Sequence, residues 1–184
     1  MALTYTPEVD LGTSAIPFEL PAAGGGNHTL DSVRGPRGLL VMFICNHCPY
    51  VKAIRQKLVR DAAELQDLGV GVVAINANDA QTYPEDSFEN MAEEARRHGY
   101  PFPYLWDESQ AVARAYGAVC TPDFFGYDAD LKLRYRGRLD DAGARADARE
   151  RPRELFAAMR DIAAGGEAPQ PQHPSMGCSI KWSE

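Results

Sequence analysis

The sequence predicts an α/β domain, a mixed central sheet with helices on both faces. Two continuous apolar runs, "GLLVMFI" (Gly38–Ile44) and "VGVVAIN" (Val70–Asn76), show no alternation, as strands covered on both faces do not. Helix-length segments separate the buried strands, which implies crossovers and a parallel core. Near the end, "DFFGYD" and "LKLRYRGR" face each other around Ala129 as an antiparallel hairpin.

The elements follow in order. "PFEL" and "NHTLDSV" flank "PAAGGG" and read as a short hairpin with a loose glycine-rich turn. After the first buried strand, Pro49 suits the first turn of a helix, where its missing N–H costs nothing. Val51, Ile54, Leu58, Ala62 and Leu65 recur at spacings of three and four and give that helix one apolar face, ending at Gly69. Beyond the second strand, Glu85 to His98 reads as a helix opened by acids, closed by Arg96, Arg97 and His98, and stopped at Gly99, the order that complements its dipole. "PYLWD" is a short strand, "SQAVARAYG" a short helix and "RPRELFAAMRDIAA" a last helix. From Gly165 onward the chain is rich in Pro and Gly until "GCSIKW". The expected division is therefore a domain over 1–164 and an extension over 165–184, a tail packed on it.

Composition narrows the function. At 184 residues the chain fits one domain with a sizeable core. A net charge of −7 argues against sequence-independent nucleic-acid binding, which needs a basic face. No apolar run approaches the roughly 20 residues that span a bilayer. The start, "MALTYTPEVD", lacks the basic stretch and apolar core of a signal peptide, so a cytoplasmic protein is expected. Four cysteines in such a chain are too few for a disulfide-stapled scaffold and shift weight towards redox chemistry.

Two of them form "FICNHCPYVK". Cys45 falls where the strand ends and Cys48 in the first turn of the helix. Free N–H groups and the positive dipole end lie there and favour a thiolate. Such contexts lower a cysteine pKa from about 8.5 to roughly 3.5–7.5. His47, when protonated, adds to this. Lys52 and Arg55 bring further positive charge to the first turns, while Asp61, Glu64 and Asp67 sit towards the negative end. That distribution fits a field tuned for a thiolate, and equally a solvated helix face. A structural zinc site takes two ligand pairs, but Cys120 and Cys178 are single and His28 and His173 isolated.

The second landmark is "VCTPDFF", Val119 to Phe125. A Pro at the head of a strand is commonly an ordinary edge residue. Following a C-x-x-C helix, it makes the sequence resemble the thioredoxin superfamily, in which a cis-proline at a strand start faces the cysteine pair. Thr121-Pro122 matches that position. The resemblance implies that the residue before the proline pairs its backbone with an extended substrate. More narrowly, "CNHCPYVKAI", "AINANDAQTYPEDSFENM", "FPYLWDE", "AVCTPDFFGYDADLKLRYRGRLDD" and "SMGCSIKW" are similar to a bacterial thioredoxin-like, peroxiredoxin-related group, the AhpC/TSA-like redoxins. The likeness runs from about Phe18 to Trp182.

The chain departs from better-known relatives in two places. Thioredoxin has Trp-Cys-Gly-Pro-Cys where this chain has Ile44-Cys45-Asn46-His47-Cys48; a His before the second cysteine is similar to strongly oxidising members of the superfamily. Peroxiredoxins carry Pro-x-x-x-Thr/Ser-x-x-Cys. Counting back from Cys48 meets Val41 and Cys45, and from Cys45 meets Gly38 and Met42, so neither supplies those residues.

The resulting expectation is a thioredoxin-like fold and a thiol–disulfide oxidoreductase that needs no cofactor. Cys45, nearer an exposed strand end, attacks a protein or small-molecule disulfide and Cys48 resolves the mixed disulfide. His47 tunes the potential, and Thr121 and Pro122 shape the cleft. Related membrane-tethered thiol reductases carry an acid near the pair after the second strand. Asp79 takes that place as proton acceptor, or simply caps a loop. Cys120 is expected to be buried and inert. Cys178 is expected to anchor the tail with Met176, Ile180 and Trp182, or to be a third redox partner. The rivals are a peroxide reductase using the same cysteines and a soft-metal (copper) module using Cys45, Cys48 and His47.

Overall fold

The computed structural model describes residues 2–145 and 149–184. Its main sheet has five strands: β4 (Gly38–Phe43), β5 (Val70–Asn76), β6 (Tyr104–Trp106), β8 (Asp123–Tyr127) and β9 (Leu133–Gly137), in the order β6-β5-β4-β8-β9. β4, β5 and β6 run parallel, while β8 is antiparallel to both its neighbours β4 and β9, so the expected mixed sheet forms. The expected N-terminal hairpin pairs β2 (Glu19–Pro21) with β3 (Asn27–Thr29). Its second arm then turns helical: Thr29 caps the short helix α1 (Leu30–Val33) in a reciprocal capping box with Ser32.

Alternation along β4 divides the core. Leu40 and Met42 point into one cluster with Val51, Ile54, Leu58, Ala62 and Leu65 of α2 (Pro49–Asp67), together with Met91 of α3 (Phe88–His98) and Leu155, Ala158, Met159 and Ile162 of α5 (Glu154–Ala163). Leu39, Val41 and Phe43 point into the other, under α1, the N-terminal hairpin and α4 (Ala111–Tyr116). Helices thus cover both faces, which is why β4 reads as an unbroken apolar run.

All five periodic residues of α2 are buried, and the chain turns out of the helix through Gly69 at φ +86°. The acids at the helix's negative end have a tertiary reason. Arg153 reaches from beside α5 to Asp61 at 2.6 Å and to Glu64 at 2.8 Å.

Two expectations need correction. Helix α3 begins at Phe88 with Ser87 as cap, not at Glu85, because Pro84–Asp86 form a 3₁₀ turn. The segment after Gly165 is more than a strap. Met176–Ser179 is a strand, β10, lying between β1 (Leu3–Tyr5) and β7 (Cys120–Thr121) in a second, three-stranded sheet. Neither β1 nor β10 shows a sequence period, since each is only three or four residues long. Ile180 is buried, but Trp182 remains 37% exposed, with the Arg114 guanidinium 4.3 Å above its ring. No helix of the described residues is long and apolar enough to cross a membrane.

Candidate functional site

Sheet register builds the site. Phe43 of β4 pairs with Asp123 of β8; continuing that antiparallel register by two residues sets Cys45 against Thr121. Cys45 Sγ lies 3.2 Å from Thr121 Oγ1, and the Cys48 thiol donates to the Thr121 carbonyl at 3.3 Å. Cys48 is also the N-cap of α2, with Pro49 at the first helical position. The Thr121–Pro122 peptide is cis, as the resemblance implies. Thus Cys45, Cys48, Thr121 and Pro122 are brought together.

The expected exposure of Cys45 is corrected: Cys45 is 1% exposed and Cys48 0%. Strand β10 is one reason. Cys178 pairs with Thr121 and Ser179 with Cys120, so the Thr121 backbone edge is already taken. Gly177 permits this, because a Cβ there would fall 1.9 Å from the Thr121 carbonyl oxygen. Ser175 Oγ closes the same side by donating to the Pro122 carbonyl at 2.7 Å.

The two thiols share their protons. Cys48 is lowered to about 4, first by a hydrogen bond from the Cys45 thiol and further by the Cys178 thiol and the Val51 amide, against the opposing effect of burial. Cys45 is pushed well above the ordinary thiol range by that same bond, then by burial and the charge of Asp86. Of the two, Cys48 is therefore the readier to ionise, and in its protonated form it is the thiol that donates to the Thr121 carbonyl. Cys120 lies apart, hydrogen-bonded to the Pro122 carbonyl at 3.7 Å and raised in pKa chiefly by burial.

His47 is fixed by a carboxylate, but not that of Asp79. Asp79 accepts from the Gln81 amide at 3.0 Å and the Thr82 hydroxyl at 2.6 Å, so it caps its own turn. The carboxylate at the cysteines is Asp86. It accepts from His47 Nδ1 at 2.6 Å, the Asn46 amide at 2.7 Å and Asn78 Nδ2 at 2.8 Å. Burial alone would raise Asp86, yet these donors leave it below the usual carboxylate value. In return the hydrogen bond to Asp86 raises the His47 pKa despite partial burial. Tyr83 stacks on the imidazole, with ring centres 5.4 Å apart. Arg55, expected to lend charge to the cysteines, is paired with Glu94 at 2.8 Å.

Sequence reasoning missed Asp86, Asn46 and Asn78. In sequence, Asp86 reads as one more acid opening a helix, and only its complete burial separates it from Glu85. Asn78 also ties the tail to this network, since its Oδ1 accepts from the Lys181 amide at 2.9 Å.

Cys45 Sγ, a His47 ring nitrogen and an Asp86 oxygen lie within 4.8 Å of one another. They do not fit a metal well. As a set of three ligands they are already engaged, because His47 Nδ1 and Asp86 bind each other and Asp86 takes three further N–H donors, from Asn46, Asn76 and Asn78.

Comparison with known proteins decides the family. Residues 11–136 match the model of the AhpC/TSA family. The chain belongs to the AhpC/TSA family. Its likeness is strong to two crystal structures. An uncharacterized conserved protein from Geobacillus kaustophilus is 46% identical, with 100% of this chain and 97% of that chain covered at a TM-score of 0.95. A hypothetical protein from Sinorhizobium meliloti 1021 is 45% identical, with 98% of each chain covered at a TM-score of 0.93. The thioredoxin domain of a thiol-disulfide oxidoreductase from Bacteroides vulgatus shares the fold at 15% identity, with 70% of this chain and 89% of that chain covered and a TM-score of 0.59. No curated protein matches. This AhpC/TSA-family chain is a redoxin of the thioredoxin superfamily.

Proposed function

We propose that the protein is a thiol–disulfide oxidoreductase working through Cys45 and Cys48. The observation that carries this reading is that both sulfurs bind the single residue Thr121, one its hydroxyl and one its carbonyl, directly before cis-Pro122. In the reduced protein Cys45 gives its proton to the Cys48 thiolate, and the Thr121 hydroxyl donates to the new Cys45 thiolate. Cys45 then attacks a substrate disulfide, forming a mixed disulfide and releasing one half of the substrate as a thiolate. Cys48 passes its proton to the first substrate thiolate and attacks Cys45 Sγ, which releases the second half as a thiolate that takes its proton from solvent, and leaves the Cys45–Cys48 disulfide. Asp86 favours the protonated form of His47, which when charged adds positive potential beside the pair. The substrate is low in molecular weight, because an extended polypeptide would first have to displace β10 from Thr121.

The same burial favours a second reading. Hydrogen peroxide needs no cleft, and it would oxidise Cys45 to a sulfenic acid that Cys48 condenses to the same disulfide. The missing Pro-x-x-x-Thr/Ser-x-x-Cys residues weigh against it. Mixing reduced protein with cystine or with peroxide, and following disulfide formation against time, separates the two. Faster oxidation by cystine supports exchange. A faster, stoichiometric loss of peroxide supports the rival, and metal retained through purification would support the soft-metal reading instead.

A further inference from the structure

Cys178 is the one thiol near the pair to which neither reading gives work. It is 4% exposed and lies in the same core cluster as Cys45 and Cys48. Its place follows from register. Cys178 of β10 is directly opposite Thr121 of β7, and side chains of opposed residues stand on the same face of a sheet. Thr121 Oγ1 on that face touches Cys45, and Cys178 shares the buried cluster of both cysteines, near enough to Cys48 for each thiol to shift the other's proton affinity. Cys48 is therefore the middle sulfur of three, with Cys45 and Cys178 as its two neighbours. Cys120, one residue earlier on β7, turns to the other face and bonds the Pro122 carbonyl.

We propose that Cys178 is a third redox residue of this site, which takes Cys48 from the Cys45–Cys48 disulfide and leaves a Cys48–Cys178 disulfide joining α2 to the C-terminal strand. The proposal rests on the reading that Cys45 and Cys48 form a disulfide. Cys178 Sγ attacks Cys48 Sγ; the new S–S bond forms as the Cys45–Cys48 bond breaks. Cys45 leaves with the electron pair and takes the proton that Cys178 gives up. The oxidation level is unchanged, so no oxidant is needed beyond the one that made the first disulfide. While Cys48 is a thiolate, Cys178 stays protonated, pushed up to about 12 by burial and by the Cys48 charge beside it. Once Cys48 is in a disulfide that charge is gone and Cys178 is free to act as the nucleophile. The exchange returns Cys45 as a thiol and bolts β10 over the Thr121 edge.

The test uses the full-length protein, oxidised with one equivalent of diamide, alkylated and digested with trypsin. Cys45 and Cys48 share the peptide 38–52, Cys120 lies in 115–132 and Cys178 in 161–181. The expected product is 38–52 joined to 161–181, with fragment masses placing the bond on Cys48. Cys178→Ser should lose that cross-link and retain only the bond within 38–52, and Cys45→Ser should still form it. Wild-type protein oxidised solely within 38–52 overturns the role of Cys178 and leaves the Cys45–Cys48 reading standing. A cross-link found only in Cys45→Ser also overturns it, since the native disulfide would then never be exchanged. Oxidised protein with no disulfide on 38–52 removes the Cys45–Cys48 reading itself.

Discussion

Asp86→Asn tests the tie between the carboxylate and the cysteine motif most directly. Asp86 is fully buried and accepts three short hydrogen bonds, from His47, the Asn46 amide and Asn78. Asparagine has the same shape but keeps one acceptor oxygen, and it turns an NH2 group towards donors that need an acceptor. A hydrogen bond to a charged group contributes about 1.5–3 kcal/mol, and breaking a buried ion pair costs about 3–5 kcal/mol. A loss of about 3 kcal/mol, at about 2–4 °C per kcal/mol for a chain of this size, lowers Tm by about 6–12 °C. The pH dependence has a definite sign. Asp86 is lowered in the fold, so its contribution is present above its unfolded value and is lost as pH falls through the folded one. His47 is raised, so its contribution is full below about 6.5 and is lost as pH rises through the folded value. The difference in Tm between wild type and Asp86→Asn should therefore be largest between about pH 4 and 6.5 and narrow on both sides. Thermal melts across that range, with an NMR titration of the His47 imidazole, make the assay. A His47 midpoint that does not fall in the variant, with a Tm difference flat across pH, would refute the coupling.

The remaining predictions are shorter. The ultraviolet absorbance of thiolate in the reduced protein should titrate with a midpoint of about 4 and vanish from that range in Cys48→Ala; a single transition near the ordinary thiol value of about 8.5 counts against a shared proton. Asp79→Ala should leave that midpoint in place, because its carboxylate caps a turn; a clear shift would restore Asp79 to the site. Gly177→Ala should lower Tm and speed alkylation of Cys48 and Cys178, since the added Cβ meets the Thr121 carbonyl at 1.9 Å. An unchanged melt and labelling rate would mean β10 does not seal the pair. Leu58→Ala, at a fully buried position facing β4, should cost about 2–5 kcal/mol by urea unfolding.

By itself the sequence determined the parts whose signal is local. β4 and β5 are legible because both faces are buried, and α2 because its apolar face repeats over nineteen residues. The strand-to-helix place of Cys45 and Cys48, and the Thr-Pro step before β8, follow from neighbours in the chain. Tertiary structure alone decided which groups surround them. Asp86 and Asp79 are alike as acids in a polar loop; only the fold of the 3₁₀ turn buries the first against His47 and leaves the second capping its turn. β10 was illegible because four residues carry no period, and its partners lie more than fifty residues away at Thr121 and at the N-terminus. That pairing hides the cysteines and brings a third sulfur to Cys48. Local pattern fixes what an element is, but burial, proton sharing and access depend on contacts between segments distant in sequence.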